Sequence, residues 1–114
     1  MRTALLTAVL SMALAAAAAS PEKGKAAFVK HGCWQCHGYA GQGSVAGVKL
    51  APDPMALDAM SAFVRNTRGS MPPYPKAVLP DEDLADIHAY LAAMPKGRDP
   101  RTIRELDPVS ASSR

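Results

Sequence analysis

Apolar positions along this chain recur at helical spacing in three places, and no alternating strand pattern competes with them. The first stretch opens at Ser20-Pro21-Glu22, a cap and first turn, carries Gly24, Ala27 and Phe28, and stops near His31-Gly32. The second starts at Asp53-Pro54, turns Leu57, Met60, Phe63 and Val64 inward, and closes between Arg65 and Gly69. The third begins near Asp81, aligns Leu84, Ile87, His88, Leu91 and Met94, and ends before Pro95. Glycines 38, 41, 43 and 47 predict an irregular loop from Gly38 to Pro54, and four prolines keep Ser70 to Pro80 out of helix. The pattern predicts a small all-α domain.

The ends read differently. Residues 1–19 run from Arg2 through an acid-free apolar stretch into Ala17-Ala18-Ala19, the pattern of a secretory leader cleaved near Ala19. An uncleaved membrane anchor is the alternative, although Ala4 to Ala19 is short for a span and rich in weakly hydrophobic alanine. For a bacterial protein such a leader implies the periplasm, with no stable membrane insertion once it is removed. The domain then covers 20–95. Residues 96–114 are polar and lack a continuous apolar face, so they are expected to form an irregular extension, either a docking arm or a tail without a role.

Between the first two helical stretches lies Cys33-Trp34-Gln35-Cys36-His37, which contains the only two cysteines of the chain. C-x-x-C-H is the signature of covalent c-type haem attachment: two thiols bond one porphyrin and the adjacent imidazole reaches the iron. A thioredoxin-like redox couple would need a βαβ context, which is missing. Half of a zinc site would need His31 or His88 as a further ligand, crowding neighbours that cannot all face one ion. Two unrelated cysteines remain the bland reading.

Composition favours the haem. Phe28, Trp34, Tyr39, Phe63, Tyr74 and Tyr90 are all the aromatics, so a core made of protein alone would be thin. A buried porphyrin supplies apolar surface. Thirteen Lys and Arg face ten Asp and Glu. Arg2 belongs to the leader, so the mature holoprotein is nearly neutral once two haem propionates are counted, which argues against nucleic acid as a partner. Lys23, Lys25, Lys30, Lys49, Arg65, Arg68 and Lys76 precede the acids Asp81, Glu82, Asp83 and Asp86, a charge asymmetry along the chain that could steer a docking partner or simply be a solvated surface.

The occupant of the sixth iron position separates electron transfer from ligand chemistry. Met71 is the first candidate, because Gly69-Ser70-Met71-Pro72-Pro73-Tyr74 is a proline-stiffened loop able to hold a sulfur in place. Met60 and Met94 sit at core spacing within helices, Met55 opens one, and His31 and His88 read as a surface and a helix-face histidine. Lys49 and Arg65 are candidates for propionate contacts, with ordinary exposed cations as the alternative.

These features together resemble a class I cytochrome c: Gly24 and Phe28 in a first helix, the Cys33 to His37 motif, Met71-Pro72-Pro73-Tyr74, and Leu84 to Leu91, over roughly Ser20 to Met94. The resemblance implies a fold of three to four helices around one covalent haem c, thioethers at Cys33 and Cys36, and iron ligation by His37 and Met71. It also implies a tight crossing of first and last helices at Gly24, Phe28 and Tyr90. One departure stands out: where the family often has Gly-Pro, with a proline carbonyl accepting the proximal imidazole N–H, this chain has Gly47-Val48. The expected function is one-electron carriage by a periplasmic monomer, without catalytic residues, between a dehydrogenase or reductase and an oxidase or further cytochrome. The alternatives are a cytochrome subunit of a periplasmic dehydrogenase complex, and a haem enzyme or gas sensor with an open sixth position.

Overall fold

A computed structural model describes residues 18–106 of the chain. The leader assignment therefore falls almost wholly outside the described residues. Helix α1 is Pro21–Lys30, α2 is the single turn Trp34–His37, α3 is Leu57–Arg65 and α4 is Asp81–Ala92, followed by two short 3-10 turns at Pro100–Thr102 and Arg104–Leu106. No strand occurs among the described residues, and none of their helices is long and apolar enough to cross a membrane.

Helix α1 starts as its sequence dictates. Ser20 Oγ accepts from the Lys23 amide at 3.3 Å and Pro21 occupies a position where its missing N–H costs nothing. At the other end Gly32 takes φ of 76°, a left-handed conformation that terminates the helix. Helix α4 begins with Asp81, Glu82 and Asp83 in its first turn, where carboxylates complement the helix dipole.

These two helices cross at Gly24. A Cβ there would run into the Asp86 carbonyl of α4 and lie 2.8 Å from Tyr90 Cβ, so only glycine permits the approach. Phe28 then reaches Tyr90, ring centroids 5.7 Å apart and inclined by 56°, and Phe28 and Leu91 are fully buried. Ala27, Ala51, Met60, Val64, Leu79, Leu84 and Ile87 complete the core. The crossing inferred from the resemblance is present.

Three details correct the sequence reading. Helix α3 begins at Leu57 rather than Asp53-Pro54, because Pro52 and Pro54 hold that segment extended and the Leu50 and Ala51 amides both donate to the Gly41 carbonyl. Of the four α3 residues expected inside, Met60 and Val64 are buried, whereas Leu57 is 38% and Phe63 52% exposed. Met60 and Val64 form the i, i+4 stripe against α4, and Phe63 lies roughly 100° around the helix from Val64. The charge asymmetry is also reduced on folding, because three of its seven cations find acidic partners: Lys30 pairs with Asp83 at 3.4 Å, and Asp81 pairs with Arg65 at 2.8 Å and Lys76 at 2.6 Å.

Candidate functional site

The Cys33 to His37 segment leaves α1 through Gly32 and winds into α2, with the Cys33 amide donating to the Phe28 carbonyl at 3.1 Å and the His37 amide to the Cys33 carbonyl at 3.0 Å. The turn sets the two thiols three residues apart on a rigid base. Both are free; Cys33 is half-buried and Cys36 exposed. Burial pushes the Cys33 thiol up, the opposite of what a reactive redox couple needs. Among the described residues no three His, Cys, Asp or Glu side chains gather where they could hold a metal ion, so the zinc alternative lacks its ligands.

His37 is 8% exposed, and its Nδ1 donates to the Val48 carbonyl at 2.7 Å. The missing proline thus costs the chain no acceptor. The contact fixes the ring and its tautomer and makes no demand on Nε2, which has no hydrogen bond among the described residues. The loop carrying Val48 is tied back to the cysteine turn. Ser44 Oγ donates to the Cys36 carbonyl at 2.5 Å and accepts from the Ala46 amide at 3.0 Å, while the Ser44 amide donates to the Gly47 carbonyl at 2.9 Å. Gly47 is required there, because a Cβ would sit 2.7 Å from the Cys36 carbonyl oxygen and 3.0 Å from His37 Nδ1.

Met71 is half-buried against the core, in company with Cys33, Trp34 and Tyr74. Its loop is clamped from both sides at Tyr74: the amide donates to the Val64 carbonyl at 2.8 Å, the carbonyl accepts from Arg65 Nη1 at 2.7 Å, and the hydroxyl donates to the His31 carbonyl at 3.2 Å. Burial, and then the charges that Cys33 and Cys36 would carry as thiolates, push the Tyr74 phenol up. Met60 is buried in the core, Met94 packs at its margin, and Met55 is exposed with its carbonyl opposite His88 Nε2 at 3.0 Å. His31 is not the surface residue expected from sequence: its side chain is 7% exposed and Nε2 meets Asp83 Oδ2 at 2.8 Å, because Asp83 of α4 closes over it.

The two propionate candidates differ. Lys49 is exposed and makes no ion pair among the described residues. Arg65 is mostly buried, with one nitrogen on the Tyr74 carbonyl and another on Asp81, yet its Nε is buried without a partner, as is Thr67 Oγ1. Such orphaned donors suit a carboxylate-bearing group that the protein itself does not contain. Ser44 and Thr67 were not singled out from sequence, and nothing in their local pattern marks them; Tyr74 figures there only among the aromatics and as the end of the Met71 loop.

Two free thiols on one turn, an imidazole oriented through its far nitrogen, a clamped thioether loop and unpaired buried donors all fit a haem c. Cys33 and Cys36 would hold it covalently, and His37 would face the iron. Once bound, the group supplies a reversible one-electron couple; the chain's part is to fix the imidazole, cover the porphyrin with apolar side chains and keep the loops in register.

No curated protein and no solved structure matches the chain. A family model described as "Cytochrome C oxidase, cbb3-type, subunit III" matches residues 19–91, which spans α1 through nearly all of α4. A c-type cytochrome domain carries covalent haem c, transfers electrons and exchanges them with redox partners. The chain belongs to this family of c-type cytochrome domains.

Proposed function

We propose that the chain is an exported, periplasmic monohaem carrier whose iron is ligated by His37 and Met71. The observation that carries this reading is the pair of restraints on the two ligands: the Val48 carbonyl on His37 Nδ1 and the threefold anchoring of Tyr74, three residues beyond Met71. A filled sixth position raises the potential and leaves the iron no site for small ligands, so the protein moves electrons and makes no substrate bond. Reduced holoprotein at neutral pH is expected to bind carbon monoxide slowly, limited by Met71 detachment; rapid binding would support the open-site reading instead.

The family description names an oxidase subunit, which favours a second reading as a component of a larger periplasmic redox complex, of oxidase or dehydrogenase type. The 96–106 segment is exposed apart from the partly covered Ile103, and Arg98 and Arg104 form no ion pair among the described residues. Co-purification with a partner that is lost on deleting 96–114 would favour the complex; an unchanged monomer in both forms favours the free carrier.

A further inference from the structure

Asp86 is the one buried carboxylate of the described residues, 5% exposed at the α1–α4 crossing, and no Lys, Arg or His pairs with it there. Its Oδ1 accepts from a single group, the backbone nitrogen of Ser20, at 2.6 Å. One neutral amide is a weak partner for the carboxylate of so largely buried a residue, and a cationic donor at the same atom would hold it more strongly. Ala18 and Ala19 add nothing to this contact: both are exposed and make no hydrogen bond among the described residues.

We infer that the chain is processed between Ala19 and Ser20, and that the new α-ammonium of Ser20 docks on Asp86 as a buried ion pair locking α1 to α4. The inference rests on the export reading and sharpens it to one bond. A signal-peptidase-type protease supplies the hydrolysis: water adds across the Ala19–Ser20 peptide, the C–N bond breaks, Ala19 leaves with a carboxylate, and Ser20 keeps the nitrogen as an ammonium. The small side chains of Ala17 and Ala19 suit such a cut. A positive charge at the first residue of a helix opposes the helix dipole, and two acids offset it here: Asp86 beneath the nitrogen, and Glu22, whose Oε2 accepts from Ser20 Oγ at 3.0 Å.

The test uses the full chain expressed with its own leader in a bacterium that matures c-type haem. Intact mass and N-terminal sequencing of the periplasmic holoprotein are expected to give Ser20 as the first residue. An exported, haem-bearing protein cut elsewhere overturns the docking but leaves export standing, whereas an unprocessed, haem-free cytoplasmic chain overturns both. Because Asp86→Asn also perturbs the α1–α4 crossing itself, a second arm keeps Asp86 and adds one alanine before Ser20. That holoprotein, once mass shows the extra alanine retained, is expected to melt on the order of 5 °C lower, since Ser20 keeps the amide contact while the ammonium moves one residue away from Asp86. Asp86→Asn should then cost the processed chain more than the extended one; equal losses in both would overturn the ion pair.

Discussion

At the α1–α4 crossing, position is set by side chains: Gly24 admits the neighbouring backbone, Phe28 and Leu91 are sealed from solvent, and Tyr90 packs against Phe28. In the segments 38–56 and 66–80 it is set by backbone hydrogen bonds and by glycine and proline. Only Ala51 and Leu79 of these segments are buried in the core, while Val48 is 73% and Val78 55% exposed. The crossing is an ordinary protein core. On the proposed ligation the loops would form a shell around the haem, so stability and function would reside in different parts of one small domain, and perturbations should sort accordingly.

The largest separation should come from Cys33→Ser with Cys36→Ser, which removes covalent attachment. Redox activity is expected to disappear, and hydrogen exchange should accelerate throughout 38–56 and 66–80 more than at the crossing. Uniform acceleration would mean that the two regions form one unit.

Next in size is Gly24→Val. Its side chain has nowhere to go between Asp86 and Tyr90, so a loss of about 3 kcal/mol or more is expected in denaturant unfolding of the holoprotein, with little change in potential among the molecules that fold. Arg65→Met probes the shell instead. Losing the charged bond to the Tyr74 carbonyl should cost about 2 kcal/mol and, unlike the crossing variant, should shift the potential and speed carbon monoxide binding by freeing the Met71 loop.

Ser44→Ala is a finer cut. It removes the hydroxyl that joins the Cys36 carbonyl to the Ala46 amide, at about 1 kcal/mol, and lets the Val48 carbonyl drift from His37. The Val48 amide donates no hydrogen bond among the described residues, so adding Val48→Pro should restore the potential by stiffening the loop differently. A potential that ignores both changes would show that the loop does not control the imidazole.

The smallest effect is electrostatic. The His31 contact first, and then Lys30, holds the Asp83 carboxyl below its ordinary value. A lowered carboxylate contributes stability above the unfolded value, near about 4, and loses it as pH falls through the folded one. Asp83→Asn should therefore flatten acid unfolding only below about pH 4, and modestly, because the pair is partly solvated.

Much of this was legible in the sequence because it depends on local chemistry. Ser20-Pro21 and Asp81-Glu82-Asp83 mark helix starts through caps and dipoles, and Gly24, Phe28 and Tyr90 mark the crossing through the resemblance. Helix α3 was misjudged at its start because the segment holding Pro52 and Pro54 is tied to a distant partner, the Gly41 carbonyl, through the Leu50 and Ala51 amides, and Phe63 because a nine-residue helix buries only a narrow stripe. At the site, C-x-x-C-H identified the attachment point and the Gly47-Val48 departure pointed to the carbonyl that orients His37. The role of Ser44, the anchoring contacts of Tyr74 and the burial of His31 and Asp86 were not legible, since each depends on which segments meet in space.

The central claim is that the haem site is closed, with His37 and Met71 on opposite sides of the iron, and the oxidised holoprotein tests it directly. A thioether-to-iron charge-transfer band is expected in the wild type, absent in Met71→Ala, with the potential of that variant lowered. Survival of the band in Met71→Ala, or its absence from the wild type at neutral pH, would contradict the account.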